Sequence, residues 1–219
     1  MGRALSILNM TDDLGFIHRF IPAADNNQPT LLLLHGTGGD EDDLLPLAQR
    51  IAPGSGILSP RGKDVERGMV RYFRRNSEGV WDLDDLKRRT VELGEFVQRA
   101  RAAYGIEKPI ALGYSNGANI AWSLMLADPQ ALAGAILMRA MLPHDPRPLP
   151  DLMGLPVLLL TGRHDVLIPT QQAGLLAALL GEAGAEATFE VLEADHGLTE
   201  EDLKLAAGWL ARGGRRRGT

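Results

Sequence analysis

The chain has 219 residues, a formal net charge of -5 and no cysteine. A chain of this length fits one domain, which we expect to span residues 1–211. Without cysteine no disulfide can form, which fits a reducing compartment, and we expect a cytoplasmic protein. Acidic and basic residues are interspersed along most of the sequence, so we expect no extended positive surface for nucleic acid. The apolar runs are far shorter than the roughly 20 residues of a membrane helix.

Short apolar runs alternate with longer amphipathic stretches, which is typical of a mostly parallel sheet flanked by helices, an α/β fold. In chain order we predict strands at residues 15–22, 30–35, 56–59, 109–114, 133–139, 157–161 and 187–192. Helices are predicted at residues 41–51, 83–104, 115–127, 170–183 and 199–211. The proline-rich connection 141–154 is too short for a lid domain, so we expect an open cleft. Glycines and arginines in residues 212–219 predict a basic, disordered tail.

The residues 113–117, Gly-Tyr-Ser-Asn-Gly, lie directly between a predicted strand and a predicted helix. In this context the G-x-S-x-G pattern is typical of a nucleophile elbow, in which a tight turn lifts the serine hydroxyl clear of the sheet. An ordinary turn is the alternative, because glycine, serine and asparagine are common in turns. We interpret Ser115 as a catalytic nucleophile.

A serine nucleophile needs a base to accept its proton and a carboxylate to fix the tautomer of that base. In this type of fold the chain order is serine, then acid, then base. His196 follows the last predicted strand and is the predicted base, with a surface-turn histidine as the alternative. The other four histidines, His18, His35, His144 and His164, all precede Asp165, which is the predicted acid, and so do not fit this chain order.

Asp165 follows the strand predicted at 157–161 and is the predicted acid. A turn or helix-entry aspartate is the alternative. Asp195 is adjacent to His196, and neighbouring side chains in an extended turn point apart, so we expect Asp195 to be solvated.

A tetrahedral intermediate needs preorganised N–H donors for its oxygen. The backbone N–H of Asn116 is one predicted donor, because it follows the nucleophile. Thr37, in the glycine-rich run 35–40 after an early strand, is the second, and Gly36 and Gly38 beside it are predicted substrate contacts. The run lacks the ending of a P-loop and the spacing of a dinucleotide fingerprint, and no histidine pair has metal-ligand spacing, so we expect no cofactor and no metal.

With these motifs, the chain resembles the phospholipase/carboxylesterase (acyl-protein thioesterase-like) family of α/β-hydrolases, and within it the bacterial carboxylesterases associated with hydroquinone and catechol resistance. The resemblance covers residues 32–210, and its most specific segments are 35–41, 59–62, 71–75, 113–120 and 195–196. It implies the same triad and oxyanion donors, a lidless fold that often forms a homodimer, and hydrolysis of short acyl esters or thioesters. One departure is visible, since Asp195 and Gly197 stand where the family is expected to have glycine and glutamine.

Two further groups are predicted to contact substrate. Phe73 lies in a long loop with Arg71, Arg74 and Arg75, whose positive charges suit either an acidic substrate or ion pairs with carboxylates of the same region. Those carboxylates are Glu78, Asp82 and Asp84. The acyl pocket is predicted from residues next to the triad loops, with ordinary core packing as the alternative. They are Leu142, Leu167, Ile168 and Leu198.

These expectations predict a serine carboxylesterase that hydrolyses short-chain esters of small molecules through an acyl-enzyme. A thioesterase or lysophospholipase acting on longer chains is the first alternative. A non-catalytic binding protein that keeps the hydrolase architecture is the alternative from another class, because fold alone does not fix activity.

Overall fold

An eight-stranded sheet between two layers of helices forms the centre of the molecule. The structure is a computed structural model and describes residues 8–10, 14–25, 27–77, 80–142 and 146–213. Glu78, His144 and residues 214–219 of the expected tail lie outside these ranges. That residues 1–211 form one domain stays a prediction.

The sheet is mostly parallel, with an antiparallel edge. In chain order the strands are β1 (Leu8–Met10), β2 (His18–Ile21), β3 (Thr30–Leu34), β4 (Gly56–Pro60), β5 (Asp64–Glu66), β6 (Met69–Arg71), β7 (Arg75–Ser77), β8 (Val80–Trp81), β9 (Ile110–Tyr114), β10 (Gly134–Met138), β11 (Pro156–Gly162) and β12 (Glu186–Leu192). The central sheet has the order β1-β2-β4-β3-β9-β10-β11-β12, and β2 pairs antiparallel with both β1 and β4. All seven predicted strands are confirmed, whereas β1 and the two small ribbons, β5 with β6 and β7 with β8, were not predicted.

Five helices flank the sheet, as predicted. They are α1 (Leu45–Ile51), α2 (Leu83–Tyr104), α3 (Asn116–Ala127), α4 (Thr170–Glu182) and α5 (Glu200–Ala211). The expected start of α1 at Glu41 was wrong, because Pro46 has no N–H to donate and is tolerated only in the first turn of a helix. None of the helices in the described ranges is both long and apolar enough to span a bilayer.

Each face of the sheet carries its own apolar core. Successive side chains of a strand point to opposite faces, so one apolar run supplies both cores. Leu32 and Leu34 of β3 pack into the core formed with α2, α3 and α4, whereas Leu31 and Leu33 pack with α1 and α5. All four are fully buried, and burial of a leucine side chain contributes about 2 kcal/mol to folding.

The topology collects the predicted site residues at one edge of the sheet. Thr37 follows β3, Ser115 follows β9, Asp165 follows β11 and His196 follows β12. These four strands run parallel to one another, so their carboxyl ends meet at the edge where open α/β sheets bind ligands. Between β10 and β11 the described residues contain no helix or strand.

Candidate active site

Ser115 occupies a strained turn between β9 and α3. Its φ of 51° and ψ of -112° lie outside the regions that side chains favour, and its N–H donates to the Met138 carbonyl at 2.9 Å. A Cβ at Gly117 would lie 2.0 Å from the Leu34 carbonyl oxygen, and one at Gly113 would lie 2.6 Å from the Ala118 Cα. Both glycines of the elbow are therefore required sterically.

The three residues predicted as a triad form one hydrogen-bonded line. His196 Nε2 lies 3.0 Å from Ser115 Oγ, and His196 Nδ1 lies 2.8 Å from Asp165 Oδ2. Because the Asp165 carboxylate can only accept, Nδ1 carries the proton and Nε2 is free to accept the serine proton. This is the tautomer that a general base for Ser115 requires.

The carboxylate of Asp165 is buried and fully oriented. Its Oδ1 accepts the backbone N–H groups of Leu167 and Ile168, each at 2.9 Å, which leaves Oδ2 for His196. Asp195 is exposed, as expected, and its carboxylate accepts the N–H of Gly197 at 2.8 Å. The neighbouring acid therefore has a local turn role and does not compete for the imidazole.

A buried ion pair holds the loop that carries His196. Arg139, directly after β10, forms two hydrogen bonds with the Asp202 carboxylate, at 2.7 and 2.9 Å, and both side chains are inaccessible to solvent. The same guanidinium donates to the carbonyls of Asp195 and Gly197, at 3.0 and 2.7 Å. The residues on both sides of the base are thus fixed to β10 and α5.

Sequence reasoning missed this pair. Asp202 also forms a capping box with Thr199 at the start of α5. Arg139 follows the apolar strand β10 at the carboxyl edge of the sheet and has a positive φ of 56°. A lone arginine at that position, within reach of the loops after the following strands, was the available signal.

Tyr114 supports the base loop from the other side. Its hydroxyl donates to the His196 carbonyl at 2.9 Å, and its ring lies 5.5 Å from the imidazole. Burial raises the pKa of the Tyr114 hydroxyl, so this group stays protonated and remains a donor at neutral pH.

The other described histidines have structural partners. His35 is buried and accepts the Gly62 N–H at 3.0 Å, and burial lowers the pKa of its imidazole. His18 is buried beside Tyr104, and the exposed His164 lies 2.9 Å from Glu193. None of these three contacts Ser115, which agrees with the choice of His196 as base.

The two predicted oxyanion donors border the same cavity as Ser115. Asn116 is the first residue of α3, so its N–H has no partner within the helix. Thr37 lies in the loop after β3, where its Oγ1 accepts a hydrogen bond from Arg71 at 3.0 Å. The side chain of Asn116 is buried and its Oδ1 accepts the Tyr72 N–H at 2.7 Å.

The cavity beside Ser115 has a volume of about 390 Å³. It is lined by Thr37, Met69, Arg71, Arg75, Trp81, Tyr114, Ser115, Asn116, Asn119, Met141, Leu167, Ile168 and His196. Leu167 and Ile168, two of the predicted substrate contacts, therefore border the same cavity as Ser115. Arg71 and Arg75, which the sequence offered as contacts to an acidic substrate or as ion-pair partners, also line it, together with Met69 and Trp81 of the short ribbons that were not predicted.

The other predicted substrate contacts do not line this cavity. Phe73 is fully buried in the core, 5.0 Å from the Trp81 ring, and Leu142 packs against the same core. Leu198 borders a separate depression over α1 and α5. Gly36 and Gly38 belong to the loop backbone, where a Cβ on Gly36 would lie 2.7 Å from the Tyr114 ring. The positions of Phe73, Leu142 and Leu198 are those of ordinary packing residues, the alternative to a substrate contact.

The arginines of the 71–75 loop have different surroundings. Arg74 pairs with Asp82 at 3.3 Å, as the ion-pair alternative expects. Arg71 and Arg75 instead border the cavity, and both lie near Glu66, a partner that was not predicted. Among the described residues, no group of three histidine or acidic side chains is arranged to hold a metal ion.

A family model described as the alpha/beta hydrolase fold matches residues 29–155, more than half of the chain. The chain belongs to the α/β-hydrolase family. The match ends before Asp165 and His196, the predicted acid and base.

The relatives of this α/β-hydrolase include a hydrolase and two carboxylesterases of known structure. MhqD, a proposed hydrolase of Bacillus subtilis (strain 168), is 43% identical over 181 residues, which are 82% of this chain and 90% of the relative. The solved carboxylesterase of Bacillus cereus is 40% identical with a TM-score of 0.86, covering 88% of this chain and 92% of that chain. The solved carboxylesterase of Mesorhizobium loti is 32% identical with a TM-score of 0.87, covering 95% of this chain and 99% of that chain.

These relatives confirm the resemblance to carboxylesterases of the α/β-hydrolase fold and identify this protein as an ester hydrolase.

Proposed function

We propose that this α/β-hydrolase is a serine carboxylesterase that cleaves short-chain carboxylic esters through an acyl-enzyme on Ser115. The observation that carries the proposal is the line of hydrogen bonds from Ser115 Oγ through His196 to Asp165, at 3.0 and 2.8 Å. Both distances are within the reach that general base catalysis requires, before any movement of the loops.

The reaction has two halves that use the same groups. Ser115 Oγ attacks the acyl carbon while its proton moves to His196 Nε2, and the N–H groups of Thr37 and Asn116 stabilise the oxyanion, each by about 3 kcal/mol. The bond to the alcohol then breaks, and the alcohol leaves with the proton from Nε2. Water attacks the acyl carbon, gives a proton to Nε2, and the acid leaves as Ser115 recovers its proton.

The size of the cavity favours short acyl chains. At about 390 Å³ it is near the lower end of small-molecule sites, and its lining mixes polar groups with a few apolar side chains such as Leu167 and Ile168. A thioesterase or lysophospholipase for long chains needs a longer apolar surface, so that alternative is less well supported. The binding-protein alternative has no use for a base held in the tautomer that activates Ser115.

The test is turnover of acetyl and palmitoyl esters by the wild-type protein and by Ser115→Ala. We expect the acetyl ester to be the better substrate, and Ser115→Ala to lower its kcat by about 10⁴-fold or more with an unchanged circular dichroism spectrum. Ser123→Ala, in the same helix but hydrogen-bonded to Thr90 away from the cavity, is the matched control and keeps its activity.

Two outcomes contradict the proposal in different ways. Equal turnover by wild type and Ser115→Ala removes the assigned nucleophile, and absence of turnover on any ester favours the binding protein. A strong preference for palmitoyl esters favours the long-chain alternative instead. The cytoplasmic location and the homodimer expected from the sequence stay predictions.

A further inference from the structure

The cavity beside Ser115 has a positively charged wall. Its lining includes two arginines, Arg71 and Arg75, and no aspartate or glutamate among the described residues that line it. An esterase for neutral substrates needs no cation in this position. Arginine is suited to bidentate recognition of a carboxylate, because its planar donors match the two oxygens.

Arg71 is held rigidly next to the predicted oxyanion donors. It is 6% exposed, and its Nη1 donates to Thr37 Oγ1 at 3.0 Å while its Nε donates to the Phe73 carbonyl at 3.2 Å. The adjacent N–H of Tyr72 donates to Asn116 Oδ1 at 2.7 Å, which ties the segment to the start of α3. A preorganised guanidinium loses little conformational entropy when it binds a ligand.

The positive charge of the wall is only partly compensated. Glu66 is the carboxylate shared by the two arginines, with Arg75 Nε 3.0 Å from both of its oxygens and Arg71 Nε 3.6 Å from one of them. Asp64 also acts electrostatically on Arg71, but neither Asp64 nor Glu66 lines the cavity, so the side of the two guanidinium groups that borders the cavity has no carboxylate among the described lining residues. Burial and the nearby charge of Arg75 lower the pKa of Arg71, so an anion bound here would relieve an electrostatic cost.

Arg74 provides an internal comparison. It lies between Arg71 and Arg75 in the sequence, yet its guanidinium pairs with Asp82 at 3.3 Å and lies 3.8 Å from Asp85, and it does not line the cavity. Arg71 and Arg75 therefore border the cavity, whereas the charge of Arg74 is paired with Asp82 outside it.

We propose that the cavity selects esters that carry a free carboxylate, bound by Arg71 and Arg75 while the ester carbonyl lies at Ser115. This inference rests on the proposed esterase function and adds the substrate class, namely monoesters of short dicarboxylic acids and acyl esters of hydroxy acids. The substrate carboxylate supplies the negative charge that the described lining of the cavity lacks.

The test compares matched esters that differ only in this charge. Ethyl hydrogen succinate and ethyl levulinate have the same acyl length, with a carboxylate in the first and a methyl ketone in the second. Acetoxyacetate and acetoxyacetone make the same comparison with the charge on the alcohol side. Hydrolysis is followed by pH-stat titration, and the readout is the ratio of kcat/KM for the charged ester to that for the neutral ester.

We expect the wild-type ratio to exceed one for at least one pair, which also tells which side of the ester carries the carboxylate. Arg75→Gln lowers that ratio by roughly tenfold, mainly through KM, as loss of one charged hydrogen bond does. Glu66→Gln raises the ratio, because it removes the competing carboxylate. Arg74→Gln is the control and leaves the ratio unchanged.

A wild-type enzyme that hydrolyses the neutral esters with ratios of one or less overturns the inference and leaves the proposed function intact. A ratio that Arg75→Gln and Glu66→Gln both leave unchanged also overturns it. Failure of the wild type to hydrolyse any of the four esters, together with no turnover of acetyl esters, instead contradicts the proposed function itself.

Discussion

The carboxylate of Asp165 divides its two oxygens between different partners. Oδ1 accepts two backbone N–H groups, from Leu167 and Ile168, and Oδ2 faces the protonated Nδ1 of His196. An oxygen that already accepts two donors is held in place, so the orientation of the other oxygen is set by the backbone of the acid loop. The tautomer of His196 therefore depends on a turn of three residues.

Asp165→Asn tests this dependence. The amide oxygen retains the two backbone N–H groups, so the amide nitrogen faces His196 and donates to Nδ1, which forces the proton onto Nε2. We expect kcat for an acetyl ester to fall by about 10⁴-fold, with little change in the melting temperature. The matched control is His164→Asn, since His164 is exposed and paired with Glu193, and we expect its kcat to stay within twofold of wild type.

A nearly wild-type kcat for Asp165→Asn would show that catalysis does not depend on the tautomer of His196 that the Asp165 carboxylate favours.

At the scale of elements, the position of His196, the proposed base, depends on contacts that join the end of β10 to the start of α5. Arg139 and Asp202 are 63 residues apart in the sequence. The Arg139 guanidinium also donates to the carbonyls of Asp195 and Gly197, the residues on either side of His196. Asp202 also accepts the Thr199 N–H at 2.8 Å, so one carboxylate caps α5 and neutralises Arg139. Folding stability and the position of the base are thus linked through this carboxylate.

Arg139→Met removes one member of a fully buried pair and leaves the other charge uncompensated. We expect a loss of about 3–5 kcal/mol in the free energy of unfolding, together with a lower kcat. The double variant Arg139→Met/Asp202→Asn removes the buried charge and keeps an oxygen for the Thr199 N–H, so much of the stability returns. Its kcat stays low, because the carbonyls of Asp195 and Gly197 still lack their donor.

Urea denaturation and steady-state kinetics on the same protein samples separate the two effects. Full recovery of kcat together with stability in the double variant would show that Arg139 has a structural role alone.

At the scale of the whole molecule, the parts that could be predicted from sequence are those with regular spacing. Seven strands and five helices follow from apolar runs and amphipathic periodicity, and α2 was predicted at its observed bounds, where the structure has an N-cap at Asp82 and a C-cap at Gly105. The positions of Ser115, Asp165 and His196 follow from the elbow motif and from the order of loops after parallel strands.

The remaining features depend on long-range contacts that no local pattern encodes. The ribbons β5 with β6 and β7 with β8 have two or three residues per strand, too few for an alternating pattern to be recognised. Phe73 was predicted to contact substrate from its loop position, but its ring packs with Trp81 in the core. The placement of Arg71 and Arg75 beside the nucleophile likewise depends on how this segment folds over the sheet edge.

At the same scale, esterase activity of this protein requires Ser115 as the nucleophile, and the location of a covalent adduct tests this role most directly. The wild-type protein is treated with a fluorophosphonate, digested, and mapped by tandem mass spectrometry. We expect one phosphonyl group per chain, on Ser115, with no adduct in Ser115→Ala and much slower labelling in Asp165→Asn. A stoichiometric adduct on any other residue would contradict the role of Ser115 as nucleophile. The absence of any adduct in a protein that hydrolyses esters would contradict it as well.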